Sequence, residues 1–391
     1  MTPPFEIIII GAGCAGLSLA MRLSSLLEKK RVLIVEARKE YANDRTWCFW
    51  GNDSAQLRHL VTHRWHSVSL QTQDRRVKVD CRTAPYEMIC AETFYAAALQ
   101  EISRNPSLEL ATGVALTSEP WKDGDLWRIG TSAGQHAGKF LIDTRPLLPV
   151  QAGEAVLWQS FLGQEIECDV PAFDPTSASL MNFLPIANGR IPFIYVLPFS
   201  PQRALVEFTV FSPAPLGPDE LSRDLHIGIA AQIGAANYSV RRTEHGILPM
   251  GLTNPAPAAQ ASCVRVGVTA GGARSSSGFA FQRIQRWAHA CALALSSGRG
   301  PVAHPPDSWS LRAMDNLFLR VLRARPEISP DLYLSLFGIK NPHRLIRFMS
   351  DQATLADCAS VALSLPAWPF LAEIPNFMVG RAYKIAGGRS E

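Results

Sequence analysis

Phe5-Glu-Ile-Ile-Ile-Ile10 runs straight into Gly11-Ala-Gly13-Cys-Ala-Gly16, and Leu17 to Leu27 follows with a helical pattern. The opening six residues are short and β-branched, as in a strand buried on both faces. Arg31-Val-Leu-Ile-Val35 reads as a second buried strand, closed by Glu36. Strand, glycines, helix, second strand and acid together form the whole βαβ fingerprint of a dinucleotide site. Gly11 permits the tight turn, Gly13 lets the backbone approach a pyrophosphate, and Gly16 lets the helix pack on the strand. The helix N-terminus offers unbonded N–H groups and a positive dipole end to the phosphates. Glu36 stands twenty residues after Gly16, where it can accept hydrogen bonds from a ribose 2′-OH.

This fingerprint serves NAD and FAD alike. Its place at the very start of the chain, with a second glycine segment late in the sequence, favours FAD. That second segment is Cys263-Val-Arg-Val-Gly267-Val-Thr269-Ala-Gly271-Gly272, a strand running into a glycine turn. Ser275-Ser-Ser-Gly278-Phe leads into a helix expected over Ala280 to Leu295. Gly271, Gly272 and Gly278 are therefore expected to approach the ribityl–pyrophosphate part of the cofactor. The serine run reads as a helix cap.

The chain has 391 residues, 47% hydrophobic and 18% charged, which excludes disordered and fibrous classes. Its 38 basic and 34 acidic residues are too evenly balanced for a nucleic-acid binder. The eight cysteines form no C-x-x-C pair, so neither a zinc knuckle nor a disulfide scaffold is expected, and a reducing cytosol is the simplest setting. No signal peptide is expected, because Ile7–Ile10 leads into glycines and not a cleavage site. No apolar stretch reaches the ~20 residues of a membrane span.

Asp44 to Trp50 reads as an aromatic-rich loop. Phe140-Leu-Ile-Asp143 reads as a strand returning to the nucleotide unit, and 157–211 reads as all-β. The expected fold is α/β: a Rossmann-type FAD-binding domain with an inserted antiparallel β-sheet substrate domain and a helical C-terminal region. The expected boundaries are 1–150 with 240–300 for the first, 151–240 for the second, and 301–391 for the third. In that last region Arg312, Arg320, Arg323, Arg325, Lys340, Arg344 and Arg347 alternate with apolar residues. Such basic amphipathic helices suit the surface of an anionic bilayer. The uncharged stretch from Cys358 to Leu371, broken by Pro366 and Pro369, is too short to span but could dip into lipid.

Several further segments occur in an order that resembles the bacterial lycopene β-cyclases over most of the chain. They are Arg45-Thr-Trp47-Cys-Phe, Asp143-Thr-Arg145-Pro146, Leu197-Pro-Phe-Ser, Ala204-Leu-Val-Glu207-Phe-Thr209 and Gly246-Ile-Leu-Pro249-Met. After these come Thr269-Ala-Gly-Gly272, Gly278-Phe-Ala-Phe281, Met314-Asp315-Asn-Leu-Phe318 and Arg347-Phe-Met-Ser-Asp351. The resemblance implies FAD kept reduced by NADPH or NADH, and a non-redox cyclisation that turns the ψ-ends of a linear polyene into β-ionone rings. It also implies a cytoplasmic protein held peripherally at the inner face of the membrane. Phe208 stands where the family usually has a second acid, and Asn182 where it generally has an aspartate. Both leave the exact polyene open, together with the number of ring closures and the oligomeric state.

Such a cyclisation protonates a carbon–carbon double bond, stabilises a carbocation and removes a different proton. The donor must be a carboxylic acid kept neutral by an apolar pocket. Glu207 fits, lying between Ala204-Leu-Val206 and Phe208-Thr-Val-Phe211. On a period-2 strand Leu205, Glu207 and Thr209 share one face and Val206, Phe208 and Val210 the other. Trp47, Phe49, Trp50 and Phe208 are candidates to face the cation. Thr209 is placed in the pocket with the acid, and Glu244 with His245 is placed to hold the flavin or relay protons. No metal site is expected. A same-fold cyclase of another polyene or prenylated substrate is the first alternative. A flavin monooxygenase is the second, although Asp143-Thr stands where a hydroxylase would have Asp-Gly.

Overall fold

The computed structural model describes residues 3–26, 30–51, 55–146, 155–252 and 261–375. The opening βαβ unit forms as expected: β1 (Phe5–Ile10), α1 (Cys14–Ser24) and β2 (Val32–Glu36). The expected end of α1, Leu27, lies outside the described residues. Next come β3 (Thr46–Trp50), β4 (His63–Trp65), β5 (Ser67–Gln71), β6 (Arg76–Asp80), β7 (Tyr86–Cys90) and α2 (Ala91–Arg104). They are followed by β8 (Leu108–Thr112), β9 (Trp121–Asp123), β10 (Leu126–Thr131) and β11 (Gly134–Asp143). The β-rich stretch holds β12 (Leu157–Cys168), β13 (Ser177–Phe183), β14 (Ile191–Pro198), β15 (Arg203–Ser212), α3 (Pro218–Ile233) and β16 (Tyr238–Met250). β17 (Cys263–Arg265) and α4 (Phe281–Ser296) precede the C-terminal helices α5 (Trp309–Ala324), α6 (Ser329–Phe337), α7 (Pro342–Met349) and α8 (Leu355–Ser364). A last described helix, α9, covers Ala367–Pro375.

Three sheets organise the described residues. In the first, β8-β2-β1-β11 run parallel, β17 adds in parallel to β11, and β10 and β9 continue antiparallel. Helices α1, α2 and α4 cover one face, where Ile7, Ile9, Leu17, Leu23, Phe94 and Trp287 form a dry core. The uniformly buried β1 and β2 explain why their sequences are continuous apolar runs, not alternating ones.

The second sheet has the order β16-β12-β15-β14-β13-β5-β6. It is antiparallel except for the parallel pair β13–β5. Residues 157–212 supply four of its strands, while β5 and β6 come from outside 151–240 and β16 runs across the boundary at 240. The polar alternation of β5 and β6 is plain in the sequence, but which sheet they join is a long-range choice. The small third sheet, β3-β7-β4, includes Thr46–Trp50. The loop expected there is a strand, because its partner β7 satisfies the backbone in register from Thr46↔Cys90 to Trp50↔Tyr86.

One face of the second sheet is packed by α3. Phe208, Val206 and Val210 meet Leu221, Leu225 and Ile229 there. The opposite face carries Leu205, Phe193 and Phe211 and is covered by α5, α6 and α7, whose Leu319, Leu322, Leu334, Phe337, Leu345 and Ile346 are buried. The apolar stripes of α5–α7 are thus spent on the core. That corrects the expectation that they lie in a bilayer interface.

Candidate active site

At the nucleotide end, Gly11 has φ +89°, and a Cβ there would sit 2.6 Å from Thr144 Oγ1. A Cβ on Gly16 would fall 2.0 Å from the Gly11 carbonyl oxygen, so only glycine lets α1 lie this close to the turn. Around Gly13 the space is open, and α1 starts with no side chain capping its N–H groups. Glu36 is buried at the end of β2, where Oε2 accepts from Ala12 N–H (2.7 Å) and Oε1 from Arg38 N–H (2.9 Å). Burial works against ionising Glu36, but the Arg38 contacts and the Ala12 N–H outweigh it and hold the carboxyl below its usual range. Arg38 also lies over the Tyr41 and Tyr95 rings. The sequence reading missed this cluster; its signal was the basic residue two places past the acid.

At the other end, β17 leads into a turn in which Gly267, Gly271 and Gly278 all take positive φ. A Cβ on Gly272 would lie 2.6 Å from Gly267 O. Gly267 N–H donates to Nε2 of the buried His304, whose protonation is pushed down to about 4 by burial and then by Arg283. The three serines do not cap α4: its N-cap is Ala280, without a side-chain bond, and Ser276 and Ser277 face the cavity instead. Buried Arg274 ties this loop to the helices by a two-toothed ion pair to Asp315 (3.1 Å) and a bond to the Phe348 carbonyl.

Beside the second glycine turn lies a cavity of about 1050 Å³. Thr269, Ser276, Ser277 and Gly278 wall it on the loop side, Trp47 and Phe281 at its edge, and Glu207, Thr209, Tyr195, Phe193 and Phe211 on the sheet. Tyr333, Phe337 and Phe348 close it from the helices. Glu207 is the acid in the middle of this surface. Its carboxyl accepts from the Thr209 hydroxyl at 2.6 Å, two residues along the same strand face. Burial, then the nearby charge of Glu244, pushes Glu207 up to about 8 against the weaker opposing pull of Thr209 and Arg242. At neutral pH this environment favours the protonated form of Glu207.

The expected pocket residues divide. Glu207, Thr209, Glu244 and Trp47 line the cavity. Phe208 does not: it is on the α3 face of the same strand, buried among Leu162, Ile194 and Leu225. Strand alternation without a bulge at this point decides it, since Gly163↔Glu207 and Leu162↔Phe208 pair in unbroken register. Phe49 also points elsewhere, stacked on Phe281 at 5.2 Å in the nucleotide-side core. Trp50 is packed on Tyr86. The aromatic rings beside Glu207 are Tyr195 on the neighbouring strand and Tyr86, whose hydroxyls meet at 3.1 Å with Cys48 against them. Burial drives that thiol up to about 12. Asn182, on the cavity-side strand β13, accepts from the Ser179 hydroxyl at 2.6 Å.

The chain is matched over residues 6–374 by the model of the lycopene cyclase protein family. It belongs to that family. Among its relatives, the lycopene β-cyclase of Pantoea ananas is 29% identical over 265 residues, covering 66% of this chain and 65% of that protein. The lycopene β-cyclase of Pseudescherichia vulneris is 24% identical, covering 93% of this chain and 95% of its own. That of a Paracoccus species is 27% identical over the same shares. Among solved structures, a p-nitrophenol 4-monooxygenase from Pseudomonas putida superposes with a TM-score of 0.60 at 13% identity, covering 95% of this chain and 99% of that one. A geranylgeranyl bacteriochlorophyll reductase-like protein from Thermoplasma acidophilum gives 0.59 at 12%, with the same coverage. The Klebsiella pneumoniae HpxO variant complexed with FAD gives 0.55 at 16%, covering 93% and 99%. The lycopene cyclase family member thus has the fold of FAD-dependent flavoproteins.

Proposed function

We propose that the protein cyclises the ψ-ends of lycopene to β-ionone rings by acid-initiated carbocation chemistry, with FAD held in the reduced state by NADPH or NADH. The observation that carries this reading is the neutral Glu207 in an apolar, aromatic-walled cavity beside the second glycine turn. The residues present fit FAD. Open space at Gly13, the uncapped α1 N-terminus and Glu36 suit its ADP half, and the Gly267–Gly278 turn suits the ribityl side. When bound and reduced, the flavin supplies negative charge beside the developing cation. Glu207 delivers the proton to the terminal double bond. Tyr195 and Tyr86 present ring faces to the positive charge without offering a strong nucleophile, and the closed apolar walls keep water from trapping it.

The substrate is carried by the membrane, and the protein meets it there. Leu363, Trp368 and Leu371 on α8 and α9 are 86%, 63% and 62% exposed, while Val361 and Ala362 of α8, Phe370 of α9 and Leu365 between the two helices line the cavity. An apolar rim continuous with an apolar cavity suits a bilayer, from which a polyene end can slide in. No single helix among the described residues is long and apolar enough to cross a membrane; the bent pair α8–α9 passes only by length and composition.

Cyclisation leaves the oxidation level unchanged, so the test is stoichiometric. Many rings formed per NAD(P)H oxidised supports the cyclase. One NAD(P)H consumed per product, with oxygen incorporated, would establish a monooxygenase instead.

A further inference from the structure

Glu207 shares its cavity with a second acid, Glu244, which is held by different partners. Glu244, 4% exposed, accepts through Oε2 from the Thr46 hydroxyl (2.8 Å) and from the Arg242 guanidinium (2.5 Å). Arg242 is itself fixed by Glu165 at 2.6 Å and donates to Thr46 Oγ1 at 2.8 Å. Among the described residues, Glu244 Oε1 takes no hydrogen bond, and the side chain lines the cavity. Glu207, by contrast, pairs with no cation among the described residues, where its side-chain bond is to Thr209. One acid bonded only to a hydroxyl and a second ion-paired to a guanidinium, both facing one cavity, suit a proton donor and a proton acceptor.

Their placement is as specific as their charge. Glu244 pairs with Gly163 on one side of β12, and Gly163 pairs with Glu207 on the other. Tyr195 continues the row beyond Glu207. The acids therefore stand two strands apart, about 10 Å between backbones at the usual strand spacing, on one face of one sheet. The residue between them has no side chain. A Cβ on Gly163 would lie 3.2 Å from Glu207 Cβ and 3.3 Å from its Cγ, tight enough to push on the acid and fill the gap. A ring-forming polyene end must receive a proton at one carbon and lose one from another, and this row offers two groups across an open floor.

We propose that Glu244 is the base that removes the ring proton and thereby fixes the position of the ring double bond. The assignment rests on the cyclase reading above. Glu207 adds its proton to the terminal double bond, leaving a tertiary cation and the Glu207 carboxylate. The neighbouring double bond gives its electron pair to close the six-membered ring and moves the cation to the methyl-bearing ring carbon. Glu244 takes the proton from the ring carbon that carries the polyene chain, and that C–H pair becomes the β-ring double bond. Glu244 ends neutral and Glu207 ionised, so one proton passing from the first to the second resets the site. No oxidant or reductant enters the balance. Arg242 and Thr46 act as positioning residues, holding Oε2 so that Oε1 faces the ring.

The test is the double-bond position, a readout that a merely structural role would not move. The holoprotein with reduced flavin is given lycopene in liposomes, and the rings are assigned by NMR. Wild type is expected to make β-rings. Glu244→Gln is expected to lower turnover by roughly 10²–10⁴-fold and to shift the residual product toward rings with the double bond at the ring methylene or the exocyclic carbon. Glu207→Gln should lower turnover without changing the ratio. Glu244→Asp keeps the ion pair but withdraws the acceptor by one methylene, so it should raise the fraction of misplaced double bonds even if Glu244→Gln does not fold. Pure β-rings at the wild-type rate from a folded, flavin-loaded Glu244→Gln or Glu244→Asp would overturn the assignment while leaving the cyclase standing. Failure of the wild type to cyclise lycopene would instead remove the reading on which it rests.

Discussion

Glu207 owes its role to what surrounds it, not to its own chemistry. An exposed glutamate is ionised at neutral pH, whereas burial and Glu244 raise this one to about 8. Folding therefore favours the protonated form, and the folded protein keeps its proton from the ordinary carboxylate range up to about 8. Cyclisation should be flat across neutral pH and fall above about 8, as the donor ionises. Stability should decline earlier, as pH rises from the ordinary carboxylate range to about 8, because the unfolded chain gives up this proton over that interval while the folded protein keeps it. A pH–rate profile on the flavin-loaded protein checks this; a rate that rises through pH 8 would contradict the acid role. The acid and its strand face were legible in the sequence because alternation is strictly local. Arg242 was not: it shares a face of β16 with Glu244, but only the sheet register carries it to Glu165 on β12.

At the level of elements, the same register separates chemistry from packing along β15. Leu205, Glu207, Thr209 and Phe211 face the cavity side, while Val206, Phe208 and Val210 face α3. The departure at Phe208 from the family's usual second acid is thus an event in the α3 interface. A carboxylate there would meet Leu162, Ile194 and Leu225. Phe208→Ala should destabilise the fold by about 3–5 kcal/mol through the cavity it leaves, read by urea unfolding, and Phe208→Leu by about 1 kcal/mol. Turnover of the folded Phe208→Leu protein should stay near wild type. Strong loss of turnover without loss of stability would put Phe208 back at the pocket. Among the elements, β1, α1 and β2 were readable because their burial is uniform and their glycines are punctuating. β3 was not, since a strand of Thr-Trp-Cys-Phe-Trp is recognisable only once β7 pairs with it.

On the scale of the molecule, the second sheet, the small third sheet and the glycine turn after β17 surround one cavity, and C-terminal helices close it. The helices α5–α7 are stapled down by Arg274–Asp315 and by Arg283, which bonds both Asp307 and Asp351. The exposed apolar α8–α9 rim is the surface proposed to meet a bilayer. A Trp368→Ser, Leu371→Ser protein should co-sediment less with anionic liposomes while keeping its fold and flavin, and high salt should weaken wild-type binding only in part. Unchanged liposome binding in that variant would move the membrane face elsewhere. The charge pattern of α5–α7 pointed to a membrane face on helices whose apolar stripes are buried in the core, because sequence does not tell which apolar stripe a core will claim. The central claim is that Glu207 donates the proton. Glu207→Gln removes the donor at constant volume, so the direct measurement is lycopene turnover by the flavin-loaded variant beside wild type. Retained fold and flavin with cyclisation reduced by roughly 10²–10⁴-fold is the expected result, and near-normal turnover would contradict it.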